Sequence, residues 1–138
     1  MGKTRIVASD LKSLAQYCPD LENWPHSWRF EQRDVGPGER IVELFKPFLM
    51  HLLSLGLSRK TLRKHRDNLW ILGGEIIRDL QEDPALRKRP IEQLILAVLD
   101  EEGGPLIYHC TSEDEQRSFD STCRKLLHFL QDSRSQAA

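Results

Sequence analysis

The sequence has few cysteines, no long apolar run and almost no net charge. Its 138 residues include three cysteines, and 20 Lys and Arg residues stand against 21 Asp and Glu. A membrane-spanning helix needs about 20 consecutive apolar residues, and no such run is present. No apolar stretch follows the first residues to mark a signal peptide. With 39% hydrophobic residues the chain is too apolar for a disordered protein, so we expect one globular domain. Because no export signal is recognised, we expect it in the cytoplasm.

The three cysteines are Cys18, Cys110 and Cys123. A sparse, odd number without an export signal indicates free thiols in a reducing compartment. His109 and His128 would complete a four-residue metal set with Cys110 and Cys123, but an adjacent His-Cys pair suits one tetrahedral site poorly and no Cys-x-x-Cys is present. Cys123 falls on the apolar side of a predicted helix, where a thiol behaves as a small hydrophobic group. We therefore expect no metal and no other cofactor.

Residues 1–38 are predicted to form an irregular N-terminal arm with one short helix. Ser9 can cap that helix, which would run to Tyr17 and end before Pro19. Residues 18–38 contain three prolines and two glycines and are interpreted as extended chain. The aromatic residues of this stretch are expected to pack onto the domain, although an arm that binds a partner is the alternative; they are Trp24, Trp28 and Phe30.

Apolar residues recur at helical spacing in four segments between residues 39 and 131. The predicted helices cover 39–55, 58 to about 80, the stretch from Pro90 to the glycines at 103 and 104, and 112 to about 131. Ser58 is a good N-cap, and Ser112 with Glu115 forms a capping box. Gly73 lies on the apolar face of the second helix and predicts a close helix crossing. The sequence thus indicates an all-α, four-helix domain over 39–131, followed by a flexible tail at 132–138.

The even charge balance hides two opposite clusters. Residues 58–70 contain five basic residues and one acidic residue, whereas residues 100–120 contain seven acidic residues and one basic residue. Lys60, Arg63 and Lys64 fall opposite the apolar face, near the start of the second helix. Helix N-termini and Lys or Arg side chains both favour phosphate oxygens. A solvated helix face is the alternative interpretation of this basic cluster.

A polar stripe on the fourth helix also favours a phosphate or DNA partner. It lies on the side away from Phe119 and Leu126, with Asp120 at its edge. Side chains of this kind can enter a DNA groove or hold phosphates. The alternative is a solvent-exposed helix face that binds no ligand. The stripe consists of Arg117, Ser121, Arg124, Lys125 and His128.

Motifs for catalysis are missing from the sequence. There is no glycine-rich phosphate loop, no nucleophile elbow and no metal-ligand spacing. Asp100, Glu101 and Glu102 cluster near a predicted helix end, where we expect a solvated terminus or an acidic docking patch rather than a pair of catalytic carboxylates. The chain is therefore predicted not to be an enzyme.

The order of these features is similar to that of a known family. An apolar helix ends at Gly56-Leu57-Ser58, the basic string SRKTLRKHRDNL follows over 58–69, and the fourth helix ends in STCRKLLHFL over 121–130. Over roughly residues 39–131 this order resembles the N-terminal core-binding (SAM-like) domain of tyrosine recombinases and phage integrases. The resemblance implies a four-helix bundle that clamps duplex DNA with its second and fourth helices. The DNA-contacting residues it implies are Ser58, Lys60, Thr61, Arg63, Lys64, Arg117, Ser121, Arg124 and Lys125.

Two departures from the family shape the functional prediction. Its catalytic domain would need a further stretch of chain that this sequence does not contain, and Tyr17 and Tyr108 lie in no matching nucleophile motif. Residues 1–38 have no counterpart in the family. We expect a stand-alone module that binds double-stranded DNA, is accessory to recombination or integration of a mobile element, and acts with a recombinase or a second copy of itself. The alternatives are a helical protein-interaction or dimerisation module without a DNA role, and a recombinase-derived remnant.

Overall fold

The structure, a computed structural model, describes residues 8–107 and 112–137, with side chains described over 13–107 and 112–133. Over these ranges the chain forms α-helices and short 3-10 turns but no strand, apart from an isolated bridge between Asp100 and Gly103. The all-α prediction is therefore confirmed. None of the described helices is both long and apolar enough to cross a membrane. The α-helices are α1 (Ala8–Tyr17), α2 (Trp24–Trp28), α3 (Val35–Ser54), α4 (Arg59–Glu82), α5 (Ile91–Val98) and α6 (Glu113–Ala137).

Helix α3 lies at the centre of the fold. It contacts α1, α2, α4 and α5, because one of its faces is continuously apolar. Four of its side chains are completely buried in the core: Ile41, Phe45, Leu49 and Leu52. The helix begins at Val35, four residues before the predicted start at 39, since Pro37 fits the first turn of a helix.

The segment 18–38 is not the extended arm that the sequence predicted. It folds into a 3-10 turn at Leu21–Asn23, the short helix α2, a second 3-10 turn at Gln32–Asp34 and the first turn of α3. The prediction that its aromatic residues pack onto the domain is confirmed for Trp24 and Trp28, which are buried with ring centroids 5.7 Å apart. Phe30, in contrast, is 63% exposed.

Trp28 explains the glycine on the apolar face of α4. A Cβ atom at Gly73 would lie only 2.2 Å from Cζ2 of the Trp28 ring. The indole is fixed there by a hydrogen bond of 2.9 Å from Trp28 Nε1 to the carbonyl of Trp70. The close approach expected at Gly73 is present, and its partner is the Trp28 side chain at the end of α2.

The ends of α4 and α6 follow local sequence. Ser58 caps α4 as predicted, with its Oγ accepting a hydrogen bond of 3.1 Å from the Thr61 amide. Ser112 accepts a corresponding bond of 3.1 Å from the Glu115 amide at the start of α6. Helix α6 continues to Ala137, beyond the predicted end near 131, because no Gly or Pro interrupts it. The predicted flexible tail is thus helical over 132–137. Tyr108, His109 and Cys110 lie outside the described residues.

Candidate nucleic-acid interface

Helices α4 and α6 pack side by side and enclose a surface groove of about 370 Å³. The N-terminal half of α4 forms one wall and the first half of α6 forms the other. Five of the residues that the sequence predicted to contact DNA line it together: Thr61, Lys64, Arg117, Ser121 and Lys125. The remaining lining residues, which sequence reasoning did not select, are His65, Asp114 and Ser118.

The basic side chains at this groove are available to a ligand. Lys64 and Lys125 line it and are exposed, while Lys60 and Arg63 are exposed on α4 outside the lining. Within the described part of the chain, none of these four residues forms an ion pair; the pairs of basic residues elsewhere involve other side chains. Their charge is therefore not neutralised internally.

Ser58 has a structural role at the N-terminus of α4. Its Oγ accepts from the Thr61 amide and donates a hydrogen bond of 3.0 Å to the Thr61 hydroxyl. This cap satisfies one of the first amides of the helix, while the amides of Arg59 and Lys60 have no acceptor within the helix. The predicted contact residue Ser58 thus shapes the helix start, and the positive end of the helix dipole lies beside the basic cluster.

Two members of the predicted stripe on α6 lie outside the groove. Arg124 donates a hydrogen bond of 3.0 Å to the carbonyl of Glu102, and His128 Nε2 lies 2.9 Å from the Glu101 carboxylate. These contacts fasten α6 to the acidic segment after α5. The acidic segment was expected to be solvated or a docking patch, and it is in part paired within the domain.

The acidic residue at the groove is not the one that the sequence suggested. Asp120, at the edge of the predicted stripe, accepts a hydrogen bond of 3.1 Å from the Gly104 amide and is used in that turn. Asp114 lines the groove instead and pairs with Arg117 at 3.2 Å. Because both side chains are largely exposed, this pair is weak and leaves Arg117 free to exchange partners.

A buried polar cluster joins α4 to α6 beneath the groove. His65 Nδ1 lies 2.7 Å from Thr122 Oγ1, and Asn68 Nδ2 donates to Thr122 Oγ1 at 2.9 Å and to the Ser118 carbonyl at 3.1 Å. Burial, and after it the charge of Lys125, lowers the pKa of His65, so the imidazole is neutral near pH 7. Sequence reasoning missed this cluster, although helical spacing places His65 on the same face as Leu62 and Leu69.

Of the four residues considered for a metal, the structure describes Cys123 and His128, while His109 and Cys110 lie outside the described residues. No group of three or more His, Cys, Asp or Glu residues in the described ranges is placed to hold an ion. Cys123 is buried, and burial, with a smaller contribution from Asp120, raises the pKa of its thiol well above the usual range. It acts as a small core residue, as its position on the apolar face predicted.

Comparison with protein-family models, with curated proteins and with solved structures found no match to this chain. The resemblance to recombinase core-binding domains therefore stays a prediction from sequence.

Proposed function

We propose that this protein is a DNA-binding module that seats the phosphate backbone of a duplex along the groove between α4 and α6. Thr61 and Lys64 on α4 come together with Arg117, Ser121 and Lys125 on α6 in a single groove. These residues were selected from sequence as DNA contacts in two separate segments, and the fold unites them.

The chemistry of the groove matches a phosphodiester. Three cationic side chains, Lys64, Arg117 and Lys125, line it against the single carboxylate of Asp114. Lys and Arg neutralise phosphates and release counterions, which supplies most of the affinity of nonspecific DNA binding. The hydroxyls of Thr61 and Ser121 can donate hydrogen bonds to phosphate oxygens, which positions a protein on the duplex without reading its sequence.

The arrangement of helices supports a SAM-like, core-binding type of domain. In the family that the sequence resembles, the second and fourth helices face DNA, and their counterparts here are α4 and α6. These two helices pack against each other and carry the groove. We infer an accessory role in recombination or integration of a mobile element, with a recombinase or a second copy of this chain as the protein partner.

The proposal is tested by reversing the basic cluster of α4. Lys60, Arg63 and Lys64 are exposed, so the triple variant K60E/R63E/K64E should fold as the wild type does. We expect it to lose at least about 100-fold in affinity for a duplex of about 25 base pairs at low salt, measured by fluorescence anisotropy. Lys64 lines the groove and Lys60 and Arg63 lie on the same exposed turns of α4, so three reversed charges would repel the phosphate backbone.

A matched control distinguishes the loss of a local binding site from the effect of a changed net charge on duplex affinity. R78E/K88E/R89E makes the same change in charge at exposed positions near the other end of α4. Arg78 lies 14 positions beyond Lys64 on the helix, about 21 Å along its axis. The control should retain most of the affinity. Equal loss in both triples, or no wild-type binding at low salt, would contradict the proposal.

One observation favours the second candidate, a protein-interaction module. Trp70 is 43% exposed and lies at another groove of about 370 Å³ with Asp20, Arg66 and Asp67. Exposed tryptophan is enriched at protein interfaces. If the wild type shows no duplex affinity and its mass by light scattering rises with concentration, and Trp70→Ala abolishes that rise, the interaction module is the correct function.

A further inference from the structure

His65 is a buried imidazole with an atom that has no partner. The side chain is only 5% exposed and yet contributes to the lining of the α4–α6 groove. Its Nδ1 is engaged with Thr122, whereas its Nε2 has no hydrogen-bond partner among the described residues. Leaving a buried polar atom unpaired is costly, so such atoms in folded proteins are rare and need an explanation.

The hydrogen bonds around Thr122 bear on which ring nitrogen carries the proton. Thr122 Oγ1 already accepts from Asn68 Nδ2 at 2.9 Å and has one hydrogen to donate. Its two acceptors are His65 Nδ1 at 2.7 Å and the Ser118 carbonyl at 3.4 Å. The Thr122 hydroxyl can give this hydrogen to Nδ1, or it can accept from Nδ1–H and give its hydrogen to the Ser118 carbonyl. We assign the hydrogen to the shorter contact. Nδ1 is then the acceptor of the neutral ring, and Nε2 carries the proton as a donor without an acceptor.

The groups at this groove favour an anionic oxygen as the missing acceptor. The charged side chains that line it are Lys64 from α4 and Asp114, Arg117 and Lys125 from α6. We propose that the lining side chains move on binding and that His65 then donates a hydrogen bond through Nε2, which is buried in the free protein, to a phosphate oxygen seated in this groove. This inference rests on the proposed function and names a DNA-contacting residue that neither the sequence pattern nor the resemblance selected.

A phosphate at Nε2 would couple binding to protonation. Burial and Lys125 keep the pKa of His65 low in the free protein, whereas an adjacent anion favours the imidazolium and raises it. On protonation Nδ1 also becomes a donor, and the Thr122 hydroxyl can turn to the Ser118 carbonyl. Because binding then raises the pKa of His65, duplex affinity increases as the pH falls through the interval between the free and bound values, and it is level above that interval.

Two substitutions separate the functions of the two ring nitrogens. In His65→Asn the amide oxygen can replace Nδ1 as the acceptor for Thr122, but nothing replaces the Nε2 donor. In His65→Gln the longer amide carries an N–H near the position of Nε2. We expect His65→Asn to lose about tenfold or more in duplex affinity, as for a hydrogen bond to a charged group, and His65→Gln to lose much less. Both variants should lose the rise in affinity between about pH 8 and 5.

Nitrogen-15 NMR of the wild-type imidazole tests the inference even if a variant unfolds. The free protein should show the tautomer with the proton on Nε2, and both inorganic phosphate and a duplex should raise the pKa of His65. If the duplex binds and K60E/R63E/K64E abolishes binding while the pKa and tautomer of His65 are unchanged, the inference is wrong and the proposed function stands. A response to phosphate without duplex binding supports the anion site and contradicts the DNA function. No response to either probe and no duplex binding overturns both.

Discussion

At the scale of single residues, Asp34 shows how this small domain holds a buried charge. Its carboxylate is fully buried and accepts hydrogen bonds from Arg87 at 2.6 Å and Gln81 at 3.0 Å, and from the amides of Phe30 and Glu31 at 2.8 and 2.9 Å. Burial opposes ionisation, but the hydrogen bonds from Arg87, Gln81 and the two amides outweigh it and lower the pKa of Asp34 to about 2. Asp34 thereby ties the turn before α3 to α4 and to the 3-10 turn at Pro84–Lys88.

Removing the charge of Asp34 should destabilise the fold. We expect Asp34→Asn to lower the free energy of unfolding by about 2 kcal/mol or more at pH 7, because Arg87 loses a buried counterion. Asp132→Asn, at an exposed position of α6, is the control and should change it by less than about 0.5 kcal/mol. Urea unfolding measures both, and equal stability of Asp34→Asn and wild type would refute the importance of this carboxylate.

The same carboxylate makes the stability of the fold depend on pH in the acidic range. Its pKa is below the ordinary value of 3.8, so the folded state binds fewer protons than the unfolded state in that interval. The stabilisation is therefore complete above about pH 4 and is lost as the pH falls toward 2. The difference in stability between wild type and Asp34→Asn should shrink over the same interval.

Sequence reasoning at this scale identified exposed residues better than buried polar ones. Lys60, Arg63 and Lys64 were placed on the solvent side because the apolar face of their own helix defines the opposite side. His65 could be placed on the inner face by the same rule, but its partner Thr122 is 57 positions away along the chain. Periodicity within one helix carries no information about a partner on another helix.

At the scale of elements, local rules predicted the ends of helices where the cause is local. Ser58 caps α4, and Gly56 ends the preceding helical segment with a φ of 70°, a conformation that glycine adopts without strain. The prediction of extended chain over 18–38 was wrong because its prolines were interpreted as interrupting helices. Pro25 instead occupies the first turn of α2 and Pro37 that of α3. Gly38 is required by contact with Pro25, whose Cα would lie 2.9 Å from an added Cβ.

The adjacent glycines of α4 provide a matched test of the packing between α2 and α4. Gly73→Ala places a methyl group 2.2 Å from the Trp28 ring and should destabilise the protein by about 2 kcal/mol, since overpacking forces the indole to move. At Gly74 the nearest atom is 3.4 Å away, an ordinary contact, so Gly74→Ala should be neutral or stabilising by up to about 1 kcal/mol through helix propensity. Thermal unfolding of both variants measures the difference. A destabilisation by Gly74→Ala equal to that of Gly73→Ala would contradict the role given to Trp28.

At the scale of the whole molecule, the net charge of −1 conceals an uneven distribution. The basic groove lies between α4 and α6, while Glu101 and Glu102 lie in the segment that Arg124 and His128 fasten to α6. The sequence predicted each charge cluster separately. It did not predict that α4 and α6 meet along one groove, or that the α6 stripe divides between the groove and the acidic segment, because both depend on how the helices pack.

The salt dependence of duplex binding distinguishes a phosphate-binding groove from a groove without a nucleic-acid role. Engagement of about four phosphates by the basic residues at the groove predicts that the logarithm of the association constant falls with the logarithm of salt concentration with a slope of about −3.6. In the variant K60E/R63E/K64E the slope should be much shallower, since only Arg117 and Lys125 remain at the groove, while the variant R78E/K88E/R89E should keep the wild-type slope. A wild-type slope near zero, or one that the K60E/R63E/K64E substitutions leave unchanged, would contradict a phosphate-binding groove between α4 and α6.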